Sequence, residues 1–244
     1  MTLTGKLNKA NMGYDMPGDA PLYARPPIHY RFAEAITISY ETDPDEAAKL
    51  LPEGLILPEP ATAALIFVKY PFSTLGQYEE TILCIPCLFN GELKIYIPHI
   101  VVNNDIPQAA GREIWGYPKK IADVTISKEF DMVVGKMERP KGNLICSAGM
   151  RPETPVEEAE SGIGVLSLRV IPSPEKDAPP SLMELIEVPQ NVTVVESFSG
   201  PGWVRFHADS TLDPWHKLRV KQVLGANYRV SHMELGFGRI VKTY

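Results

Sequence analysis

The sequence predicts a mainly β protein, an antiparallel sheet with a few peripheral helices, and three observations carry that reading. Ten runs rich in β-branched or apolar residues recur along the chain, Gly, Pro or Asn stands between many of them, and helix-period stretches are few. In order, strands are expected over residues 36–41, 62–70, 81–89, 92–102, 121–128, 132–138, 144–150, 164–171, 191–198 and 202–207. Asn90-Gly91 is the clearest local signal, because both residues tolerate the positive φ of a type I′ turn, and it should join 81–89 to 92–102 as a hairpin. Helices are expected over 45–51, opened by Asp43-Pro44, in a segment near 105–115, and over 216–224. The proline-rich stretch 171–180 reads as a surface loop, since the strand pattern resumes after it. The pattern alone leaves barrel and sandwich both open.

Composition sets the outer limits. With 244 residues and 44% hydrophobic content the chain can bury a sizeable core, and one domain over 1–244 is expected, with 1–27 as an extended N-terminal arm. A net charge of -6 and no Lys/Arg-rich stretch argue against nucleic acid as a partner. No apolar run of about 18 residues and no apolar segment in the first ten positions point away from a membrane and towards a soluble, cytoplasmic protein. Three cysteines are too few and odd in number for a disulfide framework. Cys84-Ile85-Pro86-Cys87 has the spacing of a redox pair or half a zinc site, yet no second pair exists and the five histidines are scattered, so buried strand thiols are the expectation and no metal is implied.

The chemistry concentrates in Gly111-Arg112-Glu113-Ile114-Trp115-Gly116-Tyr117-Pro118-Lys119-Lys120. A lysine does covalent work only as the free amine. At an ordinary pKa of about 10.4, roughly one molecule in a few thousand carries it at pH 7, and making it common costs on the order of 5 kcal/mol of destabilised ammonium. A second charge about 6 Å away, at an effective dielectric near 20, supplies at most about 3 kcal/mol. Desolvation must supply the rest, and Ile114, Trp115, Tyr117, Ile121, Ala122 and Val124 are the apolar material at hand.

These residues resemble the signature of the acetoacetate decarboxylase family, Gly-Arg-Glu followed by an aromatic and Pro-Lys-Lys. The resemblance extends over roughly residues 28–244, through Tyr40-Glu41-Thr42-Asp43, Leu51-Pro52-Glu53, Leu75 to Glu80, Phe89-Asn90-Gly91, Ile171-Pro172 and Ser199-Gly200-Pro201. It implies an acetoacetate-decarboxylase-like β-barrel, a homo-oligomer, no cofactor, and a lyase in which Lys119 forms a Schiff base with a β-keto acid, Lys120 tunes it, and Glu80 is the acid/base. Strand periodicity pulls slightly the other way, grouping Lys120 rather than Lys119 with Ala122, Val124 and Ile126.

Trp115 and Tyr117 are expected to wall the substrate pocket, with Arg112 and Glu113 supporting it. Two departures bear on the substrate. Where the resembled decarboxylases carry a carboxylate-binding arginine before the first strand, Phe32-Ala33-Glu34-Ala35 stands here, leaving Arg31 or Arg25 as stand-ins. A second family glutamate falls at Leu65, and Tyr228 is a polar candidate to replace what is missing. The expected small-molecule partner is therefore a β-keto acid to be decarboxylated, or a keto acid and aldehyde joined or cleaved in aldol fashion. A barrel that merely binds a small ligand is the third reading.

Overall fold

The computed structural model describes residues 2–157 and 163–244, so Met1 of the expected N-terminal arm lies outside it. Strands dominate, and they form two sheets. The larger follows the order β10 (Thr154–Pro155), β13 (Asn191–Ser199), β15 (Gln222–Leu235), β1 (Ile28–Glu41), β2 (Thr62–Tyr70), β4 (Tyr78–Phe89), β5 (Glu92–Val102), β11 (Val165–Ile171), β12 (Leu182–Val188) and β16 (Arg239–Thr243). Two short strands join it from the side: β3 (Phe72–Ser73) on β1, and β6 (Lys119–Ile121) on β5. The smaller sheet runs β14 (Gly202–Phe206), β9 (Leu144–Met150), β8 (Met132–Glu138) and β7 (Asp123–Glu129).

The mainly β reading holds, and the Asn90-Gly91 hairpin joins β4 to β5 with φ of 53 and 81 at the two turn residues. Barrel closure does not hold. The large sheet begins at β10 and ends at β16 without those ends pairing, and closure would require the hydrogen-bond ladder to return to its first strand. It curls instead around side chains: one cluster gathers Tyr30 of β1, Tyr70 of β2, Tyr78 of β4, Ile100 of β5, Val188 of β12 and Leu235 of β15. The opposite face, through Ile38, Leu65, Phe67 and Leu83, packs on Met137, Ile145 and Ala148 of the small sheet. Each fully buried Ile or Leu there contributes about 1.5–3 kcal/mol. Gly135 of β8 is required at this contact, since a Cβ would lie 2.2 Å from Phe67.

The helices are few. α1 (Pro44–Ala48) is capped by Asp43, whose side chain accepts from the Asp45 and Glu46 amides. α2 (Asp105–Ala110) is capped by Asn104 and runs into a π-helical turn, Gly111–Trp115. The helix expected over 216–224 is replaced by one 3-10 turn, Trp215–Lys217, because Gln222 already pairs with Glu41 at the start of β15. Along β1 a bulge at Arg31 and Phe32 breaks the register with β15, and Phe32 sits at φ 53 with its amide donating to His232 Nδ1 at 3.2 Å. No helix among the described residues is long and apolar enough to cross a membrane.

Candidate active site

The π-helical turn ends at Gly116, which has φ 75 and whose Cβ, were there one, would lie 2.5 Å from the Arg169 backbone. Only glycine fits, for both reasons. The chain then folds tightly over Pro118, with the Lys119 amide donating to the Tyr117 carbonyl at 2.7 Å, and enters β6 alongside β5 with Lys119 opposite Ile100. Successive residues of a strand point to opposite faces, which separates the two lysines.

Lys119 turns inwards. Its Nζ donates to Glu80 Oε2 at 2.6 Å, and both side chains are buried, 6% and 5% exposed. Tyr70 donates its hydroxyl to the other Glu80 oxygen at 3.3 Å. The Lys119 ammonium lies 5.5 Å from the Tyr78 ring centroid and 5.9 Å from that of Tyr117. Tyr30, Tyr70 and Tyr78 pack ring against ring, and Tyr78 donates to the Tyr30 hydroxyl at 3.2 Å. Burial, with the Glu80 charge adding to it, holds Tyr70 and Tyr78 well above the ordinary phenol range, so these hydroxyls stay protonated. Gly111 completes the cage: a Cβ there would meet Lys119 Cδ at 2.6 Å and Cε at 2.8 Å, so the lysine stem runs over a bare backbone.

Lys120 turns outwards. Its Nζ donates to Asp213 Oδ1 at 2.9 Å and to the Leu212 carbonyl, while Arg139 holds the other Asp213 oxygen at 3.0 Å and the Ile121 carbonyl at 3.0 Å. Arg112 Nη1 donates to the Lys119 main-chain oxygen at 3.2 Å. The carbonyls of Lys119 and Ile121 are thus held by Arg112 and Arg139, and Lys120 meets a carboxylate rather than the Lys119 ammonium. The apolar set that strand periodicity assigns to the side of Lys120, Ala122 and Val124, belongs to the core between the sheets.

The remaining sequence candidates divide between the two faces. Trp115 and Tyr117 pack in the same cluster as the Lys119 cage, and Trp115 Nε1 is anchored to the Gly236 carbonyl at 2.9 Å. Glu113 accepts from the Tyr23 hydroxyl at 2.6 Å and faces a cleft lined by Tyr14, Arg169 and Phe237. Leu65 and Tyr228 fall in a different cluster from the rings around Lys119. Leu65 shares a β2 face with Ala63 and Phe67, opposite to Tyr70, and lies in the inter-sheet core; Tyr228 lies there too, donating to Glu34 at 3.2 Å. Arg31 donates to the Tyr30 carbonyl, and Arg25 stands over the Tyr14 and Phe237 rings. Glu79, adjacent to Glu80, faces away and accepts from Asn103 at 2.9 Å. Cys84 and Cys87 belong to different clusters and form no pair; burial, with the nearby Glu80 charge adding to it, pushes Cys84 up to about 12. Among the described residues no group of three or more His, Cys, Asp or Glu could hold a metal.

Tyr30, Tyr70 and Gly111 were not expected at the site. Pairing reveals the first signal: Tyr70 is the register partner of Tyr78, two residues before Glu80 and therefore on its face.

A model of the acetoacetate decarboxylase (ADC) family matches residues 15–244. The chain belongs to the acetoacetate decarboxylase family. It is 31% identical to "Acetoacetate decarboxylase 2" of Mesorhizobium japonicum over 95% of this chain and 89% of that one. It is 29% identical to "Decarboxylase DEC1" of Cochliobolus heterostrophus over 93% and 94%. The crystal structure of an acetoacetate decarboxylase from Legionella pneumophila superposes with a TM-score of 0.87 at 27% identity, covering 100% of this chain and 99% of that chain. As a member of the acetoacetate decarboxylase family, the protein is an enzyme, a lyase.

Proposed function

We propose that the protein decarboxylates acetoacetate or a related β-keto acid through a Schiff base on Lys119. The observation that carries this reading is the buried 2.6 Å contact between Lys119 Nζ and Glu80, enclosed by tyrosine rings. Moving one proton along that contact converts an ion pair into a free amine and a carboxylic acid without losing the hydrogen bond, and it removes two charges from a dry site.

The amine then attacks the ketone carbon. Glu80 returns its proton to the carbinolamine oxygen, water leaves, and an iminium remains on Nζ. The carbon–carboxylate bond breaks, its electron pair passes into the iminium, and carbon dioxide departs to leave an enamine. Protonation at carbon and hydrolysis free the ketone and Lys119. Lysine itself serves as the electron sink, so no organic cofactor enters the proposal. The clamp on β6 keeps Nζ in register with Glu80, which is the positioning that such a step needs.

Intact-protein mass after acetoacetate and borohydride, with carbon dioxide measured from the same mixture without reductant, tests this. A trapped adduct at Lys119 with gas release supports it. An adduct without gas moves the reading to aldol-type chemistry on the same iminium, and no adduct, or one at Lys120, removes Lys119 from its role.

A further inference from the structure

π-helical turns are rare and short, and the one over Gly111–Trp115 is held by a neighbouring strand. The last carbonyls of any helix find no donor within it. Here the final three of the turn are taken from β11. Arg169 Nη1 donates to the Glu113 and Ile114 oxygens, each at 3.2 Å, and Ser167 donates its hydroxyl to the Trp115 oxygen at 2.5 Å. The other edge of the guanidinium is fixed in turn. Glu184, the register partner of Arg169 on β12, accepts from Nε at 3.1 Å and from Nη2 at 2.5 Å. A planar fork can face a carboxylate with one edge and two carbonyls with the other, whereas a lysine ammonium, one nitrogen on a flexible stem, cannot serve both. A cation at the carboxyl end of a helical segment also offsets the partial negative charge gathered there.

The nucleophile follows directly. Gly116 lies against the Arg169 backbone, and Tyr117 is bonded at both ends, its amide to the Gly111 carbonyl at 3.0 Å and its own carbonyl to the Lys119 amide at 2.7 Å. The connection from the turn to Lys119 therefore has little slack. A shift of the Glu113 and Ile114 carbonyls passes along it to the Nζ that meets Glu80 at 2.6 Å.

We propose that Arg169, backed by Glu184, is a positioning residue for the Lys119 amine, acting through the π-helical turn rather than on the substrate. This rests on the Schiff-base reading of Lys119.

Arg169 lines a cleft of about 370 Å³ beside Glu113 and Phe237, so a small cation can reach the space that Arg169→Ala leaves. The test is carbon dioxide release from acetoacetate by wild type and Arg169→Ala, with and without millimolar guanidinium chloride, sodium chloride serving as the ionic-strength control. Arg169→Ala should lower kcat by about 10- to 100-fold, the loss that accompanies a displacement of up to about 1 Å. Guanidinium should raise the variant's rate at least about fivefold by supplying the same charge-assisted donors, with no gain from sodium and none in wild type. Circular dichroism on the same samples checks the fold. A variant with the wild-type rate overturns the inference, and so does a folded variant whose lost rate guanidinium leaves unrestored. Should the alanine variant not fold, Arg169→Lys gives the reading: it keeps the charge without spanning both partners, so a loss of about threefold or more supports the role and a wild-type rate opposes it. Failure of wild type to be trapped by acetoacetate and borohydride overturns the Lys119 reading and this one with it; a trapped wild type with an indifferent Arg169 overturns this one alone.

Discussion

Replacing Gly111 by alanine isolates the placement of Lys119 from every other property of the site. The new Cβ would stand 2.6 Å from Lys119 Cδ and 2.8 Å from Cε. Carbon atoms rest at roughly 3.5–4.0 Å, so the stem must retreat by about 1 Å. Gly111 has φ -60 and ψ -46, ordinary helical values, so alanine adds no backbone strain and improves helix propensity by about 1 kcal/mol. Overpacking costs about 1–3 kcal/mol, which leaves the fold intact with a net loss of roughly 0–2 kcal/mol. Catalysis should suffer far more. A misplacement of about 1 Å costs on the order of 100-fold, and here it would pull Nζ off the Glu80 oxygen it meets at 2.6 Å. The assay is carbon dioxide release from acetoacetate, with urea unfolding on the same sample. A Gly111→Ala enzyme of normal rate would refute the claim that bare backbone sets the lysine's path. A loss of rate matched by an equal collapse of stability would refute it too.

Other outcomes follow from the same geometry. Glu80→Gln keeps the side-chain shape but cannot accept the Lys119 proton, and kcat should fall by about 100- to 10,000-fold with the circular dichroism unchanged. Asp213→Ala strips both Lys120 and Arg139 of their carboxylate and should lower stability by about 1–3 kcal/mol in urea titration, while the Lys119 adduct still forms, more slowly. His99 is held by burial, and secondarily by the Lys120 charge, down at about 4 against an unfolded value near 6.5. Its neutral folded form means the unfolded chain takes up the proton first, so stability falls as pH drops from about 6.5 to 4, by roughly 3 kcal/mol at most. His99→Phe should flatten that part of the stability profile, and an unchanged slope would assign it to other groups.

The strands that alternate or carry β-branched runs were readable in the sequence, and β2, β5, β8 and β9 stand where the pattern puts them. β15 escaped because Gly225, Asn227, Ser231 and His232 dilute its apolar signal; pairing with β1 on one side and β13 on the other makes it a strand. Long-range pairing of this kind has no local signature, and neither does the open end of the large sheet. At the site, the signature motif led to Lys119 and the wider resemblance to Glu80, which the fold brings together from strands almost forty residues apart. Parity alone separates Leu65 from Tyr70 on β2, placing the first in the inter-sheet core and the second beside Glu80. The partner of Lys120 was not readable, since Asp213 lies in an irregular segment with no periodicity to place it.

The clamp on β6 has a consequence for how such a protein can diversify. The nucleophile is fastened from outside, by Arg112, Arg139 and the Lys120–Asp213 pair, none of which lines the tyrosine cage. The cage walls come from β1, β2 and β4, whose backbones owe their places to the large sheet. Reactivity and selectivity are therefore inherited through separate sets of residues. Mutation can repaint the walls at Tyr30 or Tyr70 and try new substrates, generation after generation, while the amine that does the chemistry stays where it is.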